Sequence, residues 1–340
     1  MRPQSHPLEG TRRPLHEVHP RSGCLCKLSP CDLELVLGMA HGSGTPNPMG
    51  QPQDCGVVSF AGETLLATTD LGPWIGVDLF VAGRIAALHA MSDVYACGGV
   101  PKFGLVTLMV RADDPHEYAA SVMAGIIDAA REEELHICGG HTLVGEEAMA
   151  GLAVIGSCSA GPPLRKIGAR VGDYLLLSKS LGVGIVVRAH KLGLADETAL
   201  GLACDVMNRS NGPAAREARQ CGAVASTDVS GFGLLGHVAE MLAPGQGVAL
   251  TLGSVPVLEE ARRLAAEMRD TYWTRGNLDY VQSRRPLHSE LDESALMPLL
   301  DPQTNGGLLI AADTRASTLL SDRGFVPIGR VTGEETITIG

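Results

Sequence analysis

The sequence predicts an α/β (α+β) fold of two domains, and three features of its 340 residues support this. The chain is longer than a single hydrophobic core normally serves. Hydrophobic residues make up 45% and aromatics only 4%, so Ala, Val, Leu and Ile must build the core, while 42 glycines indicate frequent turns. Short apolar runs typical of strands also alternate with Ala-rich runs of helical spacing.

The element signals divide the chain into two halves. Apolar runs predict strands at Val57–Phe60, Thr64–Thr69, Phe103–Val110, Leu135–Cys138, Met149–Ser157 and near Phe325–Ile328, and helical spacing predicts helices at Phe80–Ala96 and Tyr118–Glu133. The Pro-, Gly- and Arg-rich segment Ser159–Asp173 is the best linker candidate. We therefore predict a flexible tail at 1–22, a mobile arm at 23–50, an N-terminal domain at 51–160 and a C-terminal domain at 170–340.

Charge and cysteine usage exclude several classes of protein. A formal net charge of -11 argues against a nucleic-acid partner held by phosphate contacts. Nine scattered cysteines do not resemble a disulfide framework and fit a reducing cytoplasm, which is the predicted location. No run of 18 apolar residues predicts a membrane span, and the first twenty residues lack the apolar region of a secretory signal.

Two cysteines and a lysine follow the predicted tail, as Cys24-Leu25-Cys26-Lys27. The thiolate is the nucleophilic form of cysteine, and a free thiol of pKa about 8.5 is only partly ionised at neutral pH. Lys27 could favour the thiolate of Cys24, or it could place a positive charge on a phosphate. An accidental surface pair is the alternative, and without a second Cys/His pair the spacing is a poor zinc site.

Four aspartates stand in polar or glycine-flanked surroundings at or near apolar runs: Asp54, Asp70, Asp93 and Asp228. Carboxylate oxygens are the ligands that Mg²⁺ prefers, usually together with substrate phosphates. Four anions beside a triphosphate would repel one another strongly without a cation. Each aspartate taken alone could instead cap a helix or stabilise a turn. Spacing does not show whether the four converge.

A glycine-rich stretch, Gly139-Gly140-His141-Thr142, follows a predicted strand. As a loop it would offer backbone N–H groups to a phosphate, although such glycine pairs are also common turns. No G-x-x-x-x-G-K-[ST] phosphate loop is present, and no G-x-G-x-x-G opens a helix after a first strand, so ATP would need another architecture. In TDVSGFGLLGH, His237 is more typical of a satisfied core or cap histidine than of a ligand.

In this order along the chain, the motifs resemble those of the selenophosphate synthetase family (selenide, water dikinases), part of the aminoimidazole ribonucleotide synthetase-like superfamily. The resemblance covers over nine-tenths of the chain. It is carried by GCLCKLSP, QPQDCGVV, ATTD, GRIAALHAMSDVYACGG, the GGHT stretch, KSLGVG, TDVSGFGLLGH and DPQTNGGLL. It implies a two-domain fold whose N-terminal domains form a sheet structure in a homodimer, with nucleotide near the interface.

The resemblance also implies a reaction and a set of site residues. ATP, selenide and water would give selenophosphate, AMP and phosphate, supplying selenium for selenocysteine and selenonucleosides, with Mg²⁺ and a monovalent cation as candidate cofactors. The implied catalytic residues are Cys24 and Lys27, and the implied metal ligands are Asp54, Asp93 and Asp228. The implied nucleotide contacts are Lys27, Gln51, Pro52, Gln53, Asp70, Asp93, Gly140, His141 and Thr142.

Several positions depart from the family pattern. Leu25 replaces the usual Gly between the two cysteines, His89 a common Asn, and Asn305 a Ser, while Gly276 stands where the family has Arg. None of these removes a predicted metal or catalytic group. Another ATP-dependent enzyme of the superfamily, a non-catalytic nucleotide-binding paralogue and a redox or metal-binding module remain as alternatives. Selenide-dependent AMP formation would distinguish them.

Overall fold

The computed structural model describes residues 27–28, 30–41, 53–76, 78–158, 161–268 and 272–340. A short helix, α1 (Pro30–His41), precedes a five-stranded sheet ordered β1-β2-β5-β3-β4. Its strands are β1 (Gly56–Phe60), β2 (Glu63–Pro73), β3 (Val100–Arg111), β4 (His136–Gly145) and β5 (Met149–Ser157). Neighbouring strands are antiparallel except β3 and β4, which run parallel.

Two helices cover one face of this sheet: α2 (Leu79–Ala96) and α3 (His116–Glu132). Asp78 caps α2, because its side chain accepts a hydrogen bond of 3.1 Å from the backbone N–H of Val81. Most residues of α2 are buried all round, which is the pattern of a helix inside a core rather than at a surface. The core around α2 includes residues of both domains, so this helix joins the two halves of the protein.

The opposite face of the five-stranded sheet carries exposed apolar side chains. On β3, for example, Phe103 and Leu105 are 51% and 42% exposed, and their neighbour Val106 points to the covered face and is buried. Leu71 on β2 and Leu143 on β4 extend the same apolar surface. A contiguous apolar face of this kind marks an interaction surface.

The second half of the chain forms a seven-stranded sheet ordered β7-β10-β6-β11-β8-β12-β9. The strands are β6 (Tyr174–Leu177), β7 (Ala225–Asp228), β8 (Gly247–Leu250), β9 (Leu287–Ser289), β10 (Leu308–Ala312), β11 (Val326–Thr332) and β12 (Ile337–Ile339). The helices are α4 (Val183–Lys191), α5 (Glu197–Met207), α6 (Gly212–Cys221), α7 (Gly233–Met241), α8 (Glu259–Leu264), α9 (Tyr272–Arg284), α10 (Glu293–Leu300) and α11 (Thr314–Ser321). Strand β10 is wholly buried.

The predicted α/β class is confirmed, but two local predictions are wrong. Strand β2 does not end at Thr69, because it stays paired with β5 as far as Pro73. The Gly139–Thr142 stretch is not a loop, because it continues β4 and pairs in parallel with β3. Within the described residues, no helix is both long and apolar enough to cross a membrane.

Close packing of α2 on α3 depends on two glycines, and we predict that Gly125→Ala is destabilising. A Cβ at Gly125 would lie 1.9 Å from the carbonyl oxygen of Phe80, and one at Gly83 would lie 2.0 Å from that of Val122. Since both of these carbonyl oxygens belong to the backbone, they cannot move aside alone, and the two helices must separate to make room for the added Cβ. Denaturant unfolding should show a loss of about 2 kcal/mol or more in the free energy of unfolding.

The matched control is Gly201→Ala in α5, where an added Cβ meets nothing within 4 Å. This exposed helical site should gain about 0.5–1 kcal/mol, because alanine restricts the unfolded chain more than glycine does. Equal effects of the two substitutions would contradict the close packing of α2 and α3.

Candidate active site

Three predicted metal ligands meet at one point between the two domains. Asp54 stands just before β1, Asp93 lies on α2, and Asp228 ends β7. One carboxylate oxygen from each residue lies within 4.8 Å of the other two. We call these three residues the carboxylate cluster. Its all-oxygen donor set suits a hard divalent cation.

A hydroxyl group orients each carboxylate of the cluster. Thr227 Oγ1 donates to Asp54 Oδ1 at 2.8 Å. Thr68 Oγ1 donates to Asp93 Oδ2, and Ser92 Oγ donates to Asp228 Oδ2 at 2.8 Å. Each bond engages one oxygen of a carboxylate and so fixes the direction of the other. Such partners behind the ligands orient them before a metal binds.

Burial and mutual repulsion make the cluster unfavourable as three bare anions. Burial raises the pKa of Asp93 well above its ordinary value, and Asp228 and Asp54 raise it further. Burial likewise raises the pKa of Asp54, against an opposing effect of Lys166. Three carboxylates this close therefore need a cation or a proton to balance their charge.

Lys166 provides one positive charge beside the cluster. Its Nζ lies 2.9 Å from Asp54 Oδ1 and 3.0 Å from Glu240 Oε2, and all three side chains are nearly buried. Burial alone would lower the pKa of Lys166, but the two carboxylates raise it above its ordinary value, so the ammonium stays charged. For Glu240, burial alone would raise the pKa, yet Lys166 and His237 lower it to about 2.

A second set of contacts joins Lys27 to the site. Lys27 Nζ lies 3.3 Å from Asp70 Oδ2, and His89 Nε2 lies 2.7 Å from the same oxygen. His89 Nδ1 accepts a hydrogen bond of 3.2 Å from the backbone N–H of Asn305, so the ring proton is on Nε2, facing Asp70. Burial alone would raise the pKa of Asp70, but His89 and Lys27 lower it below its usual range.

A small cavity of about 30 Å³ opens beside this second set. Its polar lining comes from Lys27, Asp70, His89 and Thr304, and the rest is largely apolar. Lys27 also lowers the pKa of Asp93, so the cavity and the carboxylate cluster lie within electrostatic reach of each other. The arrangement therefore places the positive charge of Lys27 close to a cluster that can hold a cation.

The remaining predicted residues are not part of the carboxylate cluster. Gln53 Oε1 accepts a hydrogen bond of 3.3 Å from the backbone N–H of Lys166. Gly140, His141 and Thr142 lie on the edge strand β4, and Asp70 and Gly140 are separated by Leu152 and Val106 across the sheet. Three strand spacings amount to about 14 Å, so this stretch is remote from Asp70 within one chain. Cys24, Gln51 and Pro52 lie outside the described residues.

Sequence reasoning missed the residues that support the cluster. Ser92 and Thr227 each directly precede a cluster aspartate, and Thr68 lies in the same ATTD motif as Asp70, so a hydroxyl beside an acid was an available signal. Nothing in the sequence around Lys166 or Glu240 indicates that these residues lie at the site. His237 was predicted to be a satisfied core or cap histidine; its Nε2 accepts a 3.0 Å bond from Ser230 N, whereas its buried Nδ1 lies 3.3 Å from Glu240 Oε2 without the geometry of a hydrogen bond.

Of the departures from the family pattern, two have a structural explanation. Asn305 has a positive φ of 46°, a region that asparagine tolerates better than most residues, and its buried amide donates to the carbonyl oxygen of Arg209 at 3.0 Å. His89 forms the bridge to Asp70 described above. Leu25 lies outside the described residues, and Gly276 lies within α9.

Comparison with known proteins identifies the class to which this fold and site belong. The AIR synthase related protein family matches through its N-terminal domain at residues 52–158 and its C-terminal domain at residues 170–340. This is therefore an AIR synthase related protein. Thiamine monophosphate kinase from Aquifex aeolicus has the same fold, with a TM-score of 0.66 at 18% identity over 91% of this chain and 96% of that one. Hydrogenase maturation protein HypE in complex with ATP gives 0.62 at 20% identity over 88% and 90%.

Relatives found by sequence similarity identify the family within this class. A selenide, water dikinase from Geobacter metallireducens is 38% identical over 321 residues, covering 90% of this chain and 92% of that protein. One from Myxococcus xanthus is 35% identical, covering 88% of each chain. The chain belongs to the selenide, water dikinase family. The resemblance found in the sequence and the predicted enzyme class are both confirmed.

Proposed function

We propose that this chain phosphorylates selenide at the site described above, converting ATP, selenide and water into selenophosphate, AMP and phosphate. The observation that carries the proposal is the convergence of Asp54, Asp93 and Asp228 within 4.8 Å, with Lys27 beside Asp70. Phosphoryl transfer needs positioned positive charge more than covalent chemistry from the protein. The acidic cluster for a cation and the lysine on the adjoining cavity meet that need.

Mg²⁺ is the cation proposed for the cluster, with Asp54, Asp93 and Asp228 as its ligands. When bound, it would neutralise charge on the phosphate oxygens. Thr227, Thr68 and Ser92 hold the carboxylates in place, so little reorganisation is needed on binding. Lys27 adds a second charge, and His89 keeps its partner Asp70 fixed.

Cys24 is the proposed selenium-handling residue. It precedes Lys27 by three residues, a distance that an extended chain spans in about 11 Å. Hydrogen selenide is largely anionic at neutral pH, so it needs no general base. It needs to reach the γ-phosphoryl group ahead of water, and Cys24 is proposed to position it there by non-covalent contact, so that no S–Se bond and no oxidant are required. Gln51, Pro52 and Gln53 are the proposed backbone contacts to ATP.

The proposed assembly is a homodimer joined through the exposed apolar face of the five-stranded sheet. That face includes Leu71, Phe103, Leu105 and Leu143. Gly140, His141 and Thr142 lie on the edge strand of the same sheet, remote from Asp70 of their own chain. Pairing two sheets gives this stretch a route to the nucleotide of the partner subunit.

The metal assignment predicts that Asp54→Ala lowers Mg²⁺-dependent ATP turnover by orders of magnitude and weakens binding of Mn²⁺, a paramagnetic substitute. The reason is the loss of one of three converging ligands. Electron paramagnetic resonance of free Mn²⁺ measures the binding. Exposed Asp113→Ala is the control and should match the wild type. A mild effect at Asp54 would count against the cluster as the metal site.

The assignment of Cys24 as the selenium-handling residue predicts that Cys24→Ser abolishes selenide-dependent AMP formation and leaves ATP binding nearly intact. A serine hydroxyl is not a soft nucleophile and remains protonated at neutral pH. Anaerobic nucleotide analysis with and without selenide gives the AMP yield, and calorimetry gives the ATP affinity. Cys26→Ser is the matched control, with a minor effect expected. Full activity of the Cys24 variant would refute the assignment.

The dimer assignment predicts a solution mass near twice the 35.5 kDa of the chain. Phe103→Asp should shift the protein towards monomer, because each copy would bury a carboxylate in the interface. Val171→Asp is the control, since Val171 is 61% exposed but lies outside the sheet. Light scattering at micromolar concentration measures both. A monomeric wild type would contradict this interface.

A further inference from the structure

Lys166 lies between two carboxylates contributed by different parts of the molecule. The residue stands in the segment between β5 and β6 and is 6% exposed. Asp54, on one side, precedes the first strand of the five-stranded sheet, and Glu240, on the other, lies on α7 beside the seven-stranded sheet. Lys166 is paired directly with the carboxylate cluster through Asp54.

Glu240 can pair with the ammonium of Lys166 without Asp54. Tyr280 OH donates to Glu240 Oε1 at 3.3 Å, and His237 Nδ1 lies 3.3 Å from Glu240 Oε2. His237 Nε2 accepts from Ser230 N, so a neutral ring carries its proton on Nδ1, the nitrogen nearer to Glu240, although this contact lacks hydrogen-bond geometry. A carboxylate supported in this way stays charged in the interior. It remains a partner for Lys166 whatever happens at Asp54.

If the proposed metal role of the cluster is correct, Asp54 pairs with the Lys166 ammonium before the metal ion binds and coordinates the metal ion afterwards. Its Oδ1 accepts from both Lys166 and Thr227, so a cation entering the cluster approaches a carboxylate that is already in contact with a positive charge. Positive charges on one carboxylate repel each other, and Glu240 offers the ammonium an alternative partner at 3.0 Å.

We infer that Lys166 is the resident counter-ion of the carboxylate cluster: it balances Asp54 before a divalent cation binds, and Glu240 takes over its charge when the cation arrives. This inference rests on the proposed metal role. Lys166 and Glu240 are positioning residues, since they act through Asp54. A purely structural ion pair would stabilise the protein equally with and without the cation, whereas a counter-ion contributes more without it.

Metal binding and stability, both measured without ATP or selenide, test this inference. Lys166→Met keeps the aliphatic bulk and removes the charge. The full-length variant should unfold at a lower temperature without metal, and Mg²⁺ should restore more of the loss than it gives the wild type. Its Mn²⁺ affinity should rise about fivefold, because the competing ammonium is gone.

Glu240→Gln provides the opposite perturbation and a second route if Lys166→Met does not fold. With Glu240 neutral, Lys166 pairs with Asp54 alone, so Mn²⁺ affinity should fall about fivefold. Arg285→Met is the control, a buried cation paired with Glu335 rather than with the cluster. It should lower stability equally with and without Mg²⁺ and leave Mn²⁺ affinity unchanged.

The possible results separate this inference from the proposed function. Unchanged or weaker Mn²⁺ binding in Lys166→Met, or unchanged or tighter binding in Glu240→Gln, overturns the counter-ion role alone. A wild type that binds no Mn²⁺ overturns both. Opposite shifts of Mn²⁺ affinity in the two variants support the inference, whatever the yield of AMP.

Discussion

Mutual repulsion of three buried carboxylates is the constraint on which this structure depends. The three carboxylates belong to Asp54 in a bend, Asp93 on a helix and Asp228 at a strand end. Without rigid support, their repulsion would move them apart towards solvent. Their positions are fixed because α2 is enclosed by the cores of both domains and because a hydroxyl engages each carboxylate. The close packing of α2 on α3 through their glycines also holds α2, and with it the carboxylate on that helix, in position. The scaffold therefore keeps like charges together until cations balance them.

Much of this arrangement was predictable from sequence because the relevant signals are local. Periodicity located α2 to within a residue, and motif order identified the family. The convergence of the aspartates was implied only by that resemblance, since spacing along a chain carries no information about contacts between domains. Lys166 and Glu240 were missed for the same reason: their partners are distant in sequence.

The errors have an equally physical origin. Gly139–Thr142 was predicted to be a loop because adjacent glycines usually mark turns. Parallel pairing with β3 uses only backbone groups, so it overrides that propensity and extends β4 to Gly145. Pairing with β5 similarly carries β2 past Asp70 and through Gly72 and Pro73. In both cases a neighbouring strand decided the outcome, and the local composition did not.

The enclosure of α2 has a consequence for motion. A hinge between the domains would have to pull Asp93 away from Asp228 and expose apolar side chains that line both sheets, which is costly for a core of this size. Rotation of one domain against the other is therefore a poor way to admit substrates. Substrates therefore have to enter from outside this shared core, without separation of the two sheets.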